Sequence, residues 1–274
     1  METTITQYET FKAGSKTYFT SSLFFPNEVK RDVFILYGFV RVADDFVDAV
    51  PQDRDGFFRF RELWQKARVE KKTGNSIVDD FAELHRRKGF QPDWVEAFLD
   101  AMQADLSKKN YESVDETLGY IYGSAEVIGL FMSRIMGLSD EALPYARLLG
   151  RSMQYINFIR DIKEDLRLGR RYLPLESTGL SELSEKAAQA NPSAFASFMG
   201  RHLALYREWQ KEAEKGFSLI PRRYRIPIKT ASDMYNWTAR TIEQDPMVVF
   251  SRKVKPTKGR IILRAVANFL REPA

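Results

Sequence analysis

The 274-residue chain contains no cysteine and only two histidines, His85 and His202. Without cysteine there is no disulfide, no thiol nucleophile and no zinc site built on thiolates. Two histidines leave little material for an imidazole metal site. The absence of cysteine suits a reducing cytosol, so the expected location is cytoplasmic. Long apolar runs are missing as well. Val33 to Val40 is eight residues and ends at Arg41, whereas a spanning helix needs about 20. The start, Met1 to Tyr8, is polar and carries Glu2, unlike a secretory signal. Strand-like alternation between turn pairs is nearly absent, which argues against a β architecture.

The net charge of +5 is unevenly spread. Residues 251–274 hold seven basic side chains and one acid, a net +6, and the other 250 residues sum to −1. The body is therefore not a basic nucleic-acid-binding surface, and no nucleic-acid partner is expected. Apolar residues at 44% and charged residues at 29% are ordinary for a folded chain and too apolar for a disordered one.

What is there is helical periodicity. Val29, Val33, Phe34, Leu36, Tyr37, Val40 and Ala43 recur at spacings of three and four, the signature of an amphipathic helix over about 28–50. Pro26-Asn27 starts it and Pro51 stops it. Similar patterns predict helices near 54–72, 77–88, 92–107, 115–136, 139–168, 193–216, 227–244 and 258–270. The reading is an all-α chain of eight to ten helices forming one domain over 1–274, with a basic C-terminal segment, 251–274. Two basic stretches, 169–182 and 216–226, are expected to be irregular and mobile. His85, between Leu84 and Arg86-Arg87, reads as a solvated side chain and not as a ligand.

Two acidic clusters carry the chemistry. The first, Asp44-Asp45-Phe46-Val47-Asp48, lies near the end of a strongly apolar helix. Asp44 and Asp48 are four apart and share a face, where like charges weaken a helix by a few tenths of a kcal/mol. The helix dipole also disfavours anions at a C-terminus, so a compensating group from outside this helix is expected. In the second cluster, Gln154, Asn157, Asp161 and Asp165 line one helical face with Glu164 beside them. Two such helices facing each other would make an oxygen-only cage of the kind magnesium prefers. Metal held there would grip a diphosphate and improve it as a leaving group. Arg41 and Arg160, beside the acids, suit phosphate pairing.

These segments resemble the squalene/phytoene synthase family. Ser15 to Pro26 resembles its opening helix, and Tyr37-Gly38-Phe39-Val40-Arg41-Val42-Ala43-Asp44-Asp45-Phe46-Val47-Asp48 its first aspartate motif. Tyr120 to Ala125 resembles the start of its central helix, and Gln154 to Pro174 its second motif with the following loop. The likeness covers about 14–175 and weakens through Tyr235. One position departs from the family pattern: Glu126 stands where a small residue is usual, which leaves the local pocket shape open.

The resemblance implies an isoprenoid-synthase-type helical bundle around a central apolar cavity. It implies head-to-head condensation of two isoprenoid diphosphates through a cyclopropylcarbinyl diphosphate, with magnesium as cofactor and manganese as a substitute. Asp44, Asp48, Asp161, Asp165 and Glu164 would hold metal. Lys16, Arg41, Gln154, Asn157 and Arg160 would contact diphosphate. Tyr37, Tyr122 and Tyr235, with Arg160, match family positions near the reacting centre. Small residues at Ser21 and Ser22 favour two geranylgeranyl diphosphates and phytoene. The alternative is a squalene or dehydrosqualene synthase using farnesyl diphosphate, with NADPH required only for squalene. A non-catalytic assembly or membrane-interaction protein of the same fold ranks lower, because every expected aspartate is present. The basic tail suggests two uses: Arg252 to Lys258 closing over the diphosphate site, and the helix around 261–271 lying on an anionic membrane. Oligomeric state is left open.

Overall fold

A computed structural model describes residues 25–70, 72–176 and 179–271. The expected opening helix, with Lys16, Ser21 and Ser22, lies outside them. Among the described residues the chain is all helical, with one isolated bridge between Asn110 and Arg171 and no strand.

Helix α1 (Asn27–Asp48) is buried on nearly every side, as befits a central helix. Its Phe39 stacks on Phe81 at 3.9 Å and meets the rings of Phe60 and Trp64, so α2 (Arg54–Val69) and α3 (Ser76–Lys88) close over it. Asp32 is buried in the same helix but held by both nitrogens of the Arg87 fork, at 2.7 and 3.0 Å. Local chemistry sets the helix ends. Asp53 accepts from Gly56 N–H and Asn75 from Val78 N–H, while Gly89 ends α3 at φ 62°, a left-handed conformation that glycine adopts without strain. His85 is half-buried, edge-on to Trp64 and Phe90, and not solvated as its basic neighbours suggested.

Helix α4 (Pro92–Ala104) leads to a continuous rod: α5 (Val114–Ile121), a π-helical turn (Tyr122–Glu126) and α6 (Val127–Met136). The sequence pattern predicts this rod as one helix, and periodicity alone does not reveal the extra residue of the π turn. Helix α7 (Leu143–Arg160) packs against the rod at unusually close range. A Cβ on Gly129 would fall 2.2 Å from the Ala146 carbonyl oxygen, and one on Gly150 would fall 2.4 Å from that of Ala125. Only glycine permits both approaches.

The predicted helix over 139–168 is broken at Asp161. That residue ends α7 and starts the short α8 (Ile162–Arg167) with φ −99° and ψ 15°. Next come α9 (Glu185–Ala190), α10 (Pro192–Glu214), α11 (Arg222–Gln244), α12 (Val248–Ser251) and α13 (Lys258–Arg271). The two short helices α9 and α12 carry too few periods to be read from sequence. Helix α11 begins five residues before Pro227, where a helix start was expected. Pro221 starts it instead, its carbonyl accepting from Tyr224 and Arg225 N–H at 2.8 and 2.9 Å. The stretch 216–226, expected to be irregular, is therefore largely helical.

Candidate active site

Helices α1, α6, α7 and α11 wall a cavity of about 260 Å³. Its surface is largely apolar, with Val40, Ile128, Met132, Leu149 and Ile228 among the side chains. Polar groups gather at one end: Tyr37 from α1, Gln154 and Asn157 from α7, and Tyr235 from α11. Asn157 hydrogen-bonds the Tyr235 hydroxyl, while its own Oδ1 accepts no hydrogen bond among the described residues. Burial pushes the Tyr37 phenol up to about 12 and also raises that of Tyr235, so both are hydroxyl donors at neutral pH.

The acids lie beyond this polar end: Asp161 is one turn on from Asn157, and Asp44 about two turns on from Tyr37. Arg41 donates to Asp44 at 2.8 Å and also pairs with Asp45. Arg160 forks onto Asp161, with one contact at 2.9 Å. Asp48 and Asp165 are near enough for the charge of Asp48 to raise the Asp165 pKa. Burial, then Asp48, pushes Asp44 up to about 7. Burial, then Asp161 and Glu164, pushes Asp165 up to about 8. The two clusters thus share one electrostatic site that carries more negative charge than its own cations balance.

Arg170 is the compensating group that the first cluster required. It comes from the loop after α8, and its guanidinium is buried. One nitrogen donates to Asp48 at 2.7 Å, and the other to the Val47 carbonyl at 2.6 Å, capping the C-terminal end of α1. Behind it lies Asp105, only 3% exposed on its side chain, which accepts from Tyr120 and Tyr172 hydroxyls at 2.6 and 2.7 Å. Burial pushes Asp105 up to about 6 despite the nearby Arg170. The loop read as mobile is thereby pinned at Arg170, and Arg171 pins it again on the Tyr111 carbonyl at 3.0 Å. Asp105, Tyr120 and Tyr172 were not among the expected site residues. Tyr120 and Tyr172 lie in the family-like segments, while the need for a counter-charge pointed to a cation and not to Asp105.

The geometry bears on three of these readings. First, the acids form no ready-made cage: among the described residues no three acidic or histidine side chains converge on one metal position. They are instead held apart by Arg41, Arg160, Arg170 and Lys253, the last pairing with Glu164 and lying 3.7 Å from Asp161. Second, Tyr122 is not part of the apolar cavity. It lines a separate pocket with Lys108 and Glu116, and the Arg147 guanidinium sits 5.2 Å from its ring centre. Third, Glu126, whose effect was left open, is not among the residues that line the cavity. It is buried facing α7, accepting from Arg147 at 2.9 Å and Arg151 at 2.7 Å. Lys16 lies outside the described residues.

The donor set still fits magnesium. All candidate ligands are hard carboxylate oxygens, and burial followed by neighbouring carboxylates raises the pKa of two of them, Asp44 and Asp165. Magnesium commonly takes one or two carboxylates, several waters and substrate phosphates, and does not need a dedicated protein cage.

A family model described as squalene/phytoene synthase matches residues 11–260. The chain belongs to the squalene/phytoene synthase family. The 15-cis-phytoene synthase of Pantoea ananas is 31% identical, over 96% of this chain and 90% of its own length. A dehydrosqualene synthase crystallised with a ligand superposes with a TM-score of 0.87 over 98% of this chain and 96% of that one, at 18% identity. Squalene synthase HpnC from Alicyclobacillus acidocaldarius gives 0.80 over 89% and 94%, at 20% identity. The fold is thus an isoprenoid-synthase-type helical bundle, and this family member is a prenyltransferase acting on isoprenoid diphosphates.

Proposed function

We propose that this single domain condenses two geranylgeranyl diphosphates head to head to give phytoene, with magnesium as the cofactor. The observation that carries the reading is the joining of an apolar cavity to an acidic, arginine-flanked site through Tyr37, Gln154, Asn157 and Tyr235. Asp44, Asp48, Asp161, Asp165 and Glu164 would hold the metal. Bound there, it neutralises diphosphate and makes it a better leaving group.

The chain's own groups do the remaining work. Arg41 and Arg160, paired with carboxylates here, would exchange them for phosphate oxygens when diphosphate binds. Gln154 and the unpaired Asn157 Oδ1 orient the head group and its waters. Lys253, set over Glu164 and Asp161, becomes a phosphate contact by the same exchange. The Lys253 pairing supports the reading that Arg252 to Lys258 closes over the diphosphate site. The first prenyl diphosphate loses its diphosphate to give an allylic cation. The alkene of the second attacks it, and loss of a proton closes the cyclopropylcarbinyl diphosphate. Departure of the second diphosphate, rearrangement and a second proton loss give the triene. Tyr37 and Tyr235 present ring faces and hydroxyls to these cations, while the apolar wall keeps water from quenching them.

The test is product identification. The protein, magnesium and either twenty-carbon or fifteen-carbon diphosphate are incubated with and without NADPH, and the hydrocarbon is identified by mass. Phytoene formed independently of NADPH is expected. A thirty-carbon product in preference overturns the substrate assignment, and no diphosphate release from either substrate overturns the enzyme reading.

A further inference from the structure

Helix α13 buries one face and exposes an apolar one. Ile261, Ala265 and Asn268 face inward, and Asn268 and Arg264 reach Asp233 of α11 at 2.9 and 2.7 Å. On the outer side, Ile262, Leu263, Val266, Phe269 and Leu270 are each between 49 and 76% exposed. They are five of the eight exposed large apolar residues among the described residues. Their spacing of one, four, seven and eight from Ile262 puts them on a single stripe. The helix has four basic side chains, Lys258, Arg260, Arg264 and Arg271, and no acid.

Neighbouring cations frame the stripe. Arg222 donates to the Phe269 carbonyl at 2.9 Å, with its guanidinium 4.7 Å from the Phe269 ring centre. Arg223 is exposed beside it. Arg260 lies over Trp237 at 4.7 Å. These pairs show that α13 runs antiparallel to α11, its C-terminal end beside Arg222. Ile220, two residues before Arg222, lines the cavity. Tyr235, at the acid end, is thirteen residues along α11 from Arg222, roughly 20 Å at 1.5 Å per residue. The C-terminal end of α13 therefore sits near a part of the cavity wall remote from the acids.

We infer that the outer face of α13, with Arg222 and Arg223, docks on an anionic lipid surface and sets the tail end of the cavity against the bilayer. An apolar stripe flanked by cations is the pattern of a helix lying in a membrane interface, and each nearby cation strengthens attachment to anionic lipid about fivefold. A second copy of the chain fits less well, because pairing α13 with itself would set cations against cations with no acid on the helix to meet them. The function of the surface, passing prenyl chains between bilayer and cavity, rests on the synthase reading. No helix among the described residues is long and apolar enough to cross a membrane, so the attachment is peripheral.

The experiment is vesicle flotation of the full chain without substrate. Vesicles of phosphatidylcholine with phosphatidylglycerol are compared with phosphatidylcholine alone. Wild type is expected to float with the anionic vesicles and to be released by salt. The triple variant Leu263→Glu, Val266→Glu, Leu270→Glu is expected to lose about tenfold or more in bound fraction. It should keep its helical content and its turnover of detergent-dispersed substrate. Absence of wild-type binding, equal binding to both vesicles, or equal binding by the variant overturns the inference. So does a wild-type dimer that the variant dissociates, which would make this face a contact between copies. A protein that floats but never turns over would overturn the synthase reading and leave the docking surface standing.

Discussion

Replacing Arg170 by Met tests the link between the loop after α8 and the first acid cluster. The side chain keeps its bulk and loses its charge. Five contacts go: Asp48 at 2.7 Å, the Val47 carbonyl at 2.6 Å, the Asp105 carbonyl at 3.4 Å, the Tyr172 hydroxyl at 3.4 Å and the Asp105 carboxylate at 3.9 Å. Not all are left unsatisfied. Gln52 still donates to the Val47 and Asp105 carbonyls, at 2.7 and 2.9 Å. Asp48, with a side chain 36% exposed, can turn to water. Asp105 keeps both tyrosine hydroxyls. Breaking a buried pair costs about 3–5 kcal/mol, and these fallbacks put Arg170→Met at the low end, about 3 kcal/mol. For a chain of this size the melting temperature falls by roughly 6 to 12 °C.

The pH dependence separates this mechanism from a general packing defect. Asp105 already sits at about 6, above its ordinary value, because of burial. Losing Arg170 raises it further. A carboxylate raised in the fold stabilises the protein at low pH, and that contribution is lost as pH rises through the folded pKa. Below pH 5, Asp105 is largely protonated with or without Arg170, so the variant should approach wild type there and diverge at pH 8. Circular-dichroism melts at both pH values, repeated for Asp105→Asn and for the double variant, make the cycle complete. Asp105→Asn should recover most of the pH 8 loss in the Arg170→Met background. A variant that melts equally far below wild type at both pH values, or a double variant no better than Arg170→Met, would refute the reasoning. Catalysis should fall by about 10²-fold as Asp48 loses its anchor.

The metal-free protein should itself be pH-sensitive. Asp44 at about 7 and Asp165 at about 8 are raised carboxylates, so stability present in mild acid is lost as pH climbs through that window. Melts in chelator should be lower at pH 9 than at pH 5, with added magnesium raising the pH 9 value more; a flat profile would refute the shared acidic site. Asp48→Asn and Asp161→Asn should each abolish turnover with helical content unchanged, and full activity in both would remove them from the metal site. Tyr235→Phe should lower kcat by about 10²-fold. Tyr122→Phe should leave kcat near wild type, since its ring faces another pocket, and equal losses in the two would contradict that placement.

The contrast between Asp48 and Arg170 shows what could be read in advance. Asp44, Asp48, Gln154, Asn157 and Asp161 are grouped by helical spacing, a local rule, and each cluster stays together in the fold. Pro26 starts α1, and Gly89 and Gly137 end α3 and α6, each acting within a turn of itself, so these helix ends are local features. The clash of two aspartates at a helix C-terminus implied an outside partner. Its identity depended on a contact across 122 residues of sequence separation, which no local pattern encodes. Asp105 was less visible still. It is a single acid at the end of α4 with no repeated spacing, and only the approach of Arg170, Tyr120 and Tyr172 makes its burial tolerable. The π turn is the same lesson at backbone level. One extra residue inside α5–α6 rotates the faces that follow, leaving Tyr122 on a separate pocket and Ser124, Ala125 and Ile128 on the cavity. Glu126 meanwhile faces α7, where Arg147 and Arg151 balance it, and is not among the residues that line the cavity. Local spacing therefore groups the candidate site residues, and the nonlocal contacts determine how firmly those groups are held.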